Sequence, residues 1–285
     1  RSRVCWRCAP ARTSCFTSSP SAAAAPSPTP SCRPPPVLCW WPISWGSIWE
    51  SPWTAAWRPE LLEIDPYNRL FAQQSARRLD AEFIRDQALA VAGLLDRSYV
   101  GGPSVRIYQP ENYYANLNFP VRNYTAHLDS RQHRRSVYAH WQRTFLLPTL
   151  ANFDAPARDE CAADRSQANI PQQALTLLND PVYIEAARGL AVRVVTETPD
   201  ADPVQRIDRM FELLLGRGPD PGERERIIDF QARQEAGFRD GTDDAARFLG
   251  IGIATVPEGL DPIELASWTQ TARLLLNLHE SITRY

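Results

Sequence analysis

Three histidines stand close together at His127, His133 and His140, with Asp129 two residues after the first. In an extended strand His127 and Asp129 would share a face, as metal binding or general acid/base chemistry requires. The spacings match no named metal motif, and Arg131, Arg134 and Arg135 would repel a cation, so hydrogen-bonded loop histidines and no metal site are expected. Cys161 is the one cysteine after residue 57. As a nucleophile it would need a thiol pKa lowered by Arg158 or Arg165; a small buried anchor is the simpler role. Asp129, Asp154 and Cys161 are thus the candidate catalytic residues. Arg134 and Arg135 with Tyr138 and Trp141 could form an aromatic and guanidinium platform for a sugar, against which stands an ordinary ion-paired strand. Residues 164–173 gather Arg165, Ser166, Asn169, Gln172 and Gln173 just ahead of a helix start. Guanidinium forks and amides there could hold a sugar or carboxylate, and the helix end favours an anion. The competing role is to satisfy the backbone of a buried loop. The candidate ligand-binding set is Arg134, Arg135, Tyr138, Trp141, Arg165, Asn169 and Gln172.

The elements that must position these residues are helical. Asp80 can cap a helix over 80–96, with Phe83, Ile84, Ala88, Val91, Leu94 and Leu95 at three- and four-residue steps and Gly101-Gly102-Pro103 as its stop. A second helix is predicted from Gln172 to Leu178. Asp180-Pro181 opens a third, with Tyr183, Ala187, Leu190, Ala191 and Val194 on one face. Asp202-Pro203 repeats the start signal ahead of Ile207, Met210, Phe211 and Leu214, ended by Gly216. Asp220-Pro221 and Asp261-Pro262 open two more, the last placing Leu265, Trp268, Ala272, Leu275 and Leu276 inward. Residues 97–170 are irregular, with two β-prone pieces at 104–108 and 136–141, and a long segment of that kind is where a site is expected. The fold class expected is mainly α: an irregular multi-helix domain over 58–285 with a loop-rich segment and at most a few short strands.

Residues 1–57 have a different texture. They hold five of the six cysteines, seven of the nine tryptophans and ten prolines, with Glu50 the sole acid. The Pro/Ser/Ala run 18–36 cannot bury enough apolar surface to fold, whereas Trp40, Trp41, Trp45, Trp49, Trp53 and Trp57 are too aromatic for a solvated linker. Disordered sequence, or a GC-rich gene translated out of frame until about Arg58, accounts for both. Cys5 and Cys8 have CxxC spacing, but the second pair that zinc needs is missing, and Ala9 stands where haem attachment would require His. No cofactor is expected.

All 31 basic residues are arginine. Beyond residue 57 the chain carries 26 basic against 32 acidic residues, a balance that argues against nucleic acid as a partner. The apolar runs are far shorter than the roughly 20 residues a bilayer span needs. Arg1 stands where an initiator Met would, so the chain reads as a fragment of a longer product.

The run Arg58-Pro-Glu-Leu-Leu-Glu-Ile-Asp-Pro-Tyr-Asn-Arg-Leu and Arg78-Leu-Asp-Ala-Glu-Phe-Ile-Arg-Asp-Gln-Ala-Leu, with Gly101-Gly-Pro-Ser-Val, resembles a bacterial family abundant in planctomycetes, domain of unknown function 1553. Asp164-Arg-Ser-Gln-Ala-Asn-Ile-Pro-Gln-Gln and Leu275-Leu-Asn-Leu-His-Glu-Ser-Ile-Thr-Arg extend the likeness across 58–285. His279 departs from the Asp or Asn of the family pattern and receives no role. The resemblance implies an exported multidomain protein in an extracytoplasmic setting, periplasmic or at the cell surface. There this part would follow an upstream domain of the same polypeptide, and in some arrangements a c-type cytochrome domain. The function expected is a helical module that docks to that upstream domain or to a surface glycan; the alternative is a carbohydrate-active hydrolase with its site in 127–173.

Overall fold

The computed structural model describes residues 63–69, 76–98, 100–109, 124–142, 146–159, 161–241 and 243–284. All lie in one of the two units into which the chain divides, Gly46–Tyr285. The expectations for residues 1–57, the Cys5/Cys8 pair and the tryptophan run included, lie outside the described residues.

Eight α-helices are present among the described residues: α1 (Ala81–Val91), α2 (Pro148–Ala151), α3 (Pro171–Asn179), α4 (Pro181–Glu197), α5 (Pro203–Leu215), α6 (Pro221–Arg239), α7 (Ala245–Leu249) and α8 (Pro262–Leu276). The mainly helical class read from the sequence is what is found. The Asp-Pro starts work as their chemistry dictates: proline fixes φ where no N–H is needed, and the aspartate accepts a bond from a free amide of the first turn. Asp180 accepts from Val182 N at 2.9 Å, Asp202 from Gln205 N at 2.8 Å and Asp261 from Ile263 N at 3.1 Å. At α6 the side chain of Glu223 accepts from Asp220 N at 2.9 Å.

The core forms around α4 and α8, which pack on each other; α1, α3 and α5 lie against α4, and α6 against α8. Burial runs almost all round α4, which marks a central helix. α6 buries only Ile227, Gln231 and Phe238, as an outer helix does. The stripes Ile207, Met210, Phe211, Leu214 and Leu265, Trp268, Ala272, Leu275, Leu276 are all buried, as their spacing demands. Gly189 lets the end of α1 approach α4: a Cβ there would lie 2.9 Å from Ala92 Cβ.

Three details depart from the sequence reading. The helix expected over 80–96 ends at Val91, because Gly93 turns left-handed at φ 74° and the amides of Leu94 and Leu95 both return to Leu89 O. Phe83, counted with its apolar positions, is 53% exposed. The β-prone pieces build only an isolated Val105–Ala139 bridge, and residues Ser136–Tyr138 form a 3₁₀ turn. The one regular pairing among the described residues lies elsewhere, between β1 (Arg77–Arg78) and β2 (Thr283–Arg284), antiparallel, with Arg77 opposite Arg284.

Candidate functional site

Among its described residues the irregular segment forms no sheet ladder, so their backbone needs other partners. Arginines supply them. Arg85, fully buried on α1, donates to Arg134 O at 3.0 Å, to Ser136 Oγ at 3.1 Å and to Gln132 O. Burial pulls its pKa below the ordinary guanidinium value, against the opposing pull of Asp86. Arg134, also buried, donates to Pro103 O at 2.9 Å and to Gly101 O, and its guanidinium sits 4.4 Å from the centre of the Tyr138 ring. Asp86 accepts from Ser136 N at 2.7 Å. These bonds fasten 132–138 and 101–103 beside α1.

Between them opens a depression of about 500 Å³. Its α1 wall carries Phe83, Asp86, Gln87 and Ala90; the facing walls bring Leu95, Arg97, Val100, Arg135 and Tyr138. Phe83 and Val100 are largely exposed there. Arg135 is half exposed and lies 3.6 Å from Asp86, while Tyr138 accepts from Gly101 N at 3.0 Å. Among the described residues, Asp86 is the one carboxylate lining the groove. Aromatic faces edged by guanidinium, amide and carboxylate groups can hold a neutral polyol by stacking and hydrogen bonds. Glycoside cleavage in its usual form needs a second carboxyl across the scissile bond.

Of the residues singled out in the sequence, Arg135 and Tyr138 line this groove, whereas Arg134 is buried, its guanidinium against the Tyr138 ring. Trp141 stands apart: its indole donates to Ala157 O at 2.9 Å and Arg158 stacks 4.7 Å from the ring centre. Arg165 pairs with Glu82 at 2.7 Å, and those bonds raise its pKa. Asn169 and Gln172 are exposed, Gln172 in the first turn of α3. Asp129 caps the turn Ser130–His133 and chelates Arg131, bonds that hold its carboxyl down at about 2. Asp154, at φ 61°, is held by Arg78 at 2.5 Å and Ala168 N at 2.9 Å. Cys161 is exposed, where a buried anchor had been the simpler expectation.

The histidines go to separate partners. His127 Nδ1 accepts from Arg106 N at 3.1 Å, His140 Nδ1 lies 3.2 Å from Ser104 Oγ, and His133 Nε2 lies 3.0 Å from Glu185 Oε1. Burial lowers the pKa of His140, helped by Arg106. Among the described residues no three His, Cys, Asp or Glu side chains are grouped as a metal ion would need. The reading from sequence missed Asp86, Gln87 and Arg97. A signal existed for the first two, since Phe83, Asp86, Gln87 and Ala90 occupy i, i+3, i+4 and i+7 of one helix face.

A family model described as PSD1, protein of unknown function (DUF1553), matches residues 53–231. Comparisons with curated proteins and with solved structures gave no match. No helix among the described residues is long and apolar enough to cross a membrane.

Proposed function

The chain belongs to the PSD1 (DUF1553) family, and from that premise we propose that residues 58–285 act as an extracytoplasmic binding module that holds a surface glycan in the groove between α1 and the segments 95–100 and 135–138. The observation that carries this reading is the lining itself. Phe83 and Tyr138 offer ring faces, and Asp86, Gln87, Arg97 and Arg135 offer hydrogen bonds around them. Asp129 and Asp154 are each engaged by an arginine, which supports holding a sugar over cleaving one. The extracytoplasmic setting, and an upstream domain of the same polypeptide with a c-type cytochrome domain in some arrangements, rest on the resemblance of 58–285 to exported multidomain proteins.

The test is a titration calorimetry screen of soluble polysaccharide fragments, run alongside an assay for released reducing ends. Binding without product release is expected. Phe83→Ala and Arg135→Ala should each weaken it about tenfold, the loss of one stacked or charge-assisted contact. Release of sugar would favour the hydrolase alternative with its site in 127–173. Binding unaffected by both substitutions would move the site away from the groove, and no binding to any fragment would leave the upstream domain as the partner.

A further inference from the structure

A second cavity, of about 230 Å³, shares none of its described lining residues with the groove. Leu128, Val182, Ile251 and Ile253 give it apolar walls, and His133 and Glu185 also line it. The sequence placed His133 among loop histidines and passed over Glu185, which lies on the central helix 52 positions away. Glu185 and Arg188, one turn apart on α4, grip the loop after α7 from two sides. Glu185 Oε1 accepts from Ile253 N at 3.1 Å and Ala254 N at 2.6 Å, and Arg188 donates to Ile251 O at 2.7 Å and Ala254 O at 2.6 Å. Gly252, at φ 99°, makes this closure feasible, since a Cβ there would fall 2.8 Å from Glu185 Cβ.

That grip fixes the chemistry of the histidine. Burial raises the Glu185 pKa, but the bonds from His133 and from the amides of Ala254 and Ile253 outweigh it and hold the carboxyl below its ordinary value. An ionised carboxylate only accepts, so Nε2 of His133 carries a hydrogen in either charge state of the ring. In the neutral ring Nδ1 is then an acceptor. The hydrogen bonds of the described residues include none to it. Gln132, which also lines the wall, is already committed: its nitrogen donates to Arg106 O at 2.9 Å and His127 O at 2.5 Å, and its oxygen accepts from Tyr108 N at 3.2 Å.

We infer that this cavity is a small-molecule site for a compact uncharged molecule with an apolar body and one hydroxyl, the hydroxyl donating to Nδ1 of His133. The apolar walls take the body and the imidazole fixes its orientation, the usual division of labour in a small-ligand pocket. Benzyl alcohol and toluene, which share a ring and differ in the hydroxyl, are the probes, titrated into the isotope-labelled chain while the imidazole nitrogens are followed by NMR. Benzyl alcohol should shift the His133 nitrogens and bind about three- to tenfold tighter than toluene, the worth of one net hydrogen bond. His133→Phe should level the two affinities. Equal affinities in the unsubstituted protein, or binding that leaves the His133 nitrogens unmoved, would overturn the proposal whether or not the variant folds.

Discussion

The helices from α3 to α8 and the irregular stretch before them are held by different forces. In the helical part, apolar stripes meet around α4 and α8, and most charge stays at the surface in pairs such as Arg193–Glu197 and Arg209–Glu197, with Glu185, Arg188 and Arg206 as the buried exceptions. In the irregular part, few of the described residues between 96 and 142 join the core, Val105, Ile107 and Ala139 among them, and buried guanidinium groups tie backbone carbonyls together. Apolar burial is tolerant of sequence because it has no direction, whereas a guanidinium fixes each carbonyl at one place and angle. A segment built the second way can keep a polar, shaped surface without a sheet beneath it, which is what the groove requires.

Substitutions separate the two forces, beginning with the largest effect. Trp268→Ala removes a fully buried ring from α8 and should cost about 3–5 kcal/mol, lowering the urea midpoint of the whole unit in one transition. Arg134→Ala should cost less, about 1–3 kcal/mol, because it strands the carbonyls of Gly101 and Pro103. Its signature is regional: glycan binding in the groove should fall while far-ultraviolet circular dichroism holds. A loss of helix signal as large as that of Trp268→Ala would erase the distinction.

How far each part could be read in advance follows the same line. Periodicity reports apolar stripes, so α4, α5 and α8 and their Asp-Pro starts were legible from spacing. It does not report which stripe is covered, and Phe83 shows the consequence, since it keeps helical spacing yet faces the groove. Nor does it see bonds between distant positions: Arg85 reaches Arg134, and His133 reaches Glu185, with nothing local to mark either pair. The short helix α7 gave no stripe long enough to read. Arg134, Arg135 and Tyr138 were singled out because residue type alone suggested a platform, and of these Arg135 and Tyr138 line the groove; Asp86 and Gln87, which also line it, were overlooked because they sit inside a helix judged by its apolar positions.

The smaller effects sharpen the helical side of the contrast. Asp202→Ala removes the bond to Gln205 N and should cost about 1 kcal/mol, measured by thermal denaturation, with no change in ligand binding. Smallest of all is the acid dependence of the exposed pairs. Bonds from Arg193 and Arg209 hold the Glu197 carboxyl below its ordinary value of 4.5. The stability this gives is therefore fully present above pH 4.5 and lost as pH falls through the lower folded-state value. Solvent screens these groups, so the decline should be shallow and flatten further in 1 M salt, about 3 Å of screening length.

The central claim is that Arg85 holds the irregular segment in place rather than the helical core. Hydrogen exchange measured by mass spectrometry on the unsubstituted protein and on Arg85→Ala tests it most directly. Protection should drop in the peptides covering 132–139 and 101–105, where amides such as Ser136 N and Val105 N lose their fixed partners, while α4 and α8 exchange as before. Equal loss across α4 and α8, or unchanged protection at 132–139, would contradict it.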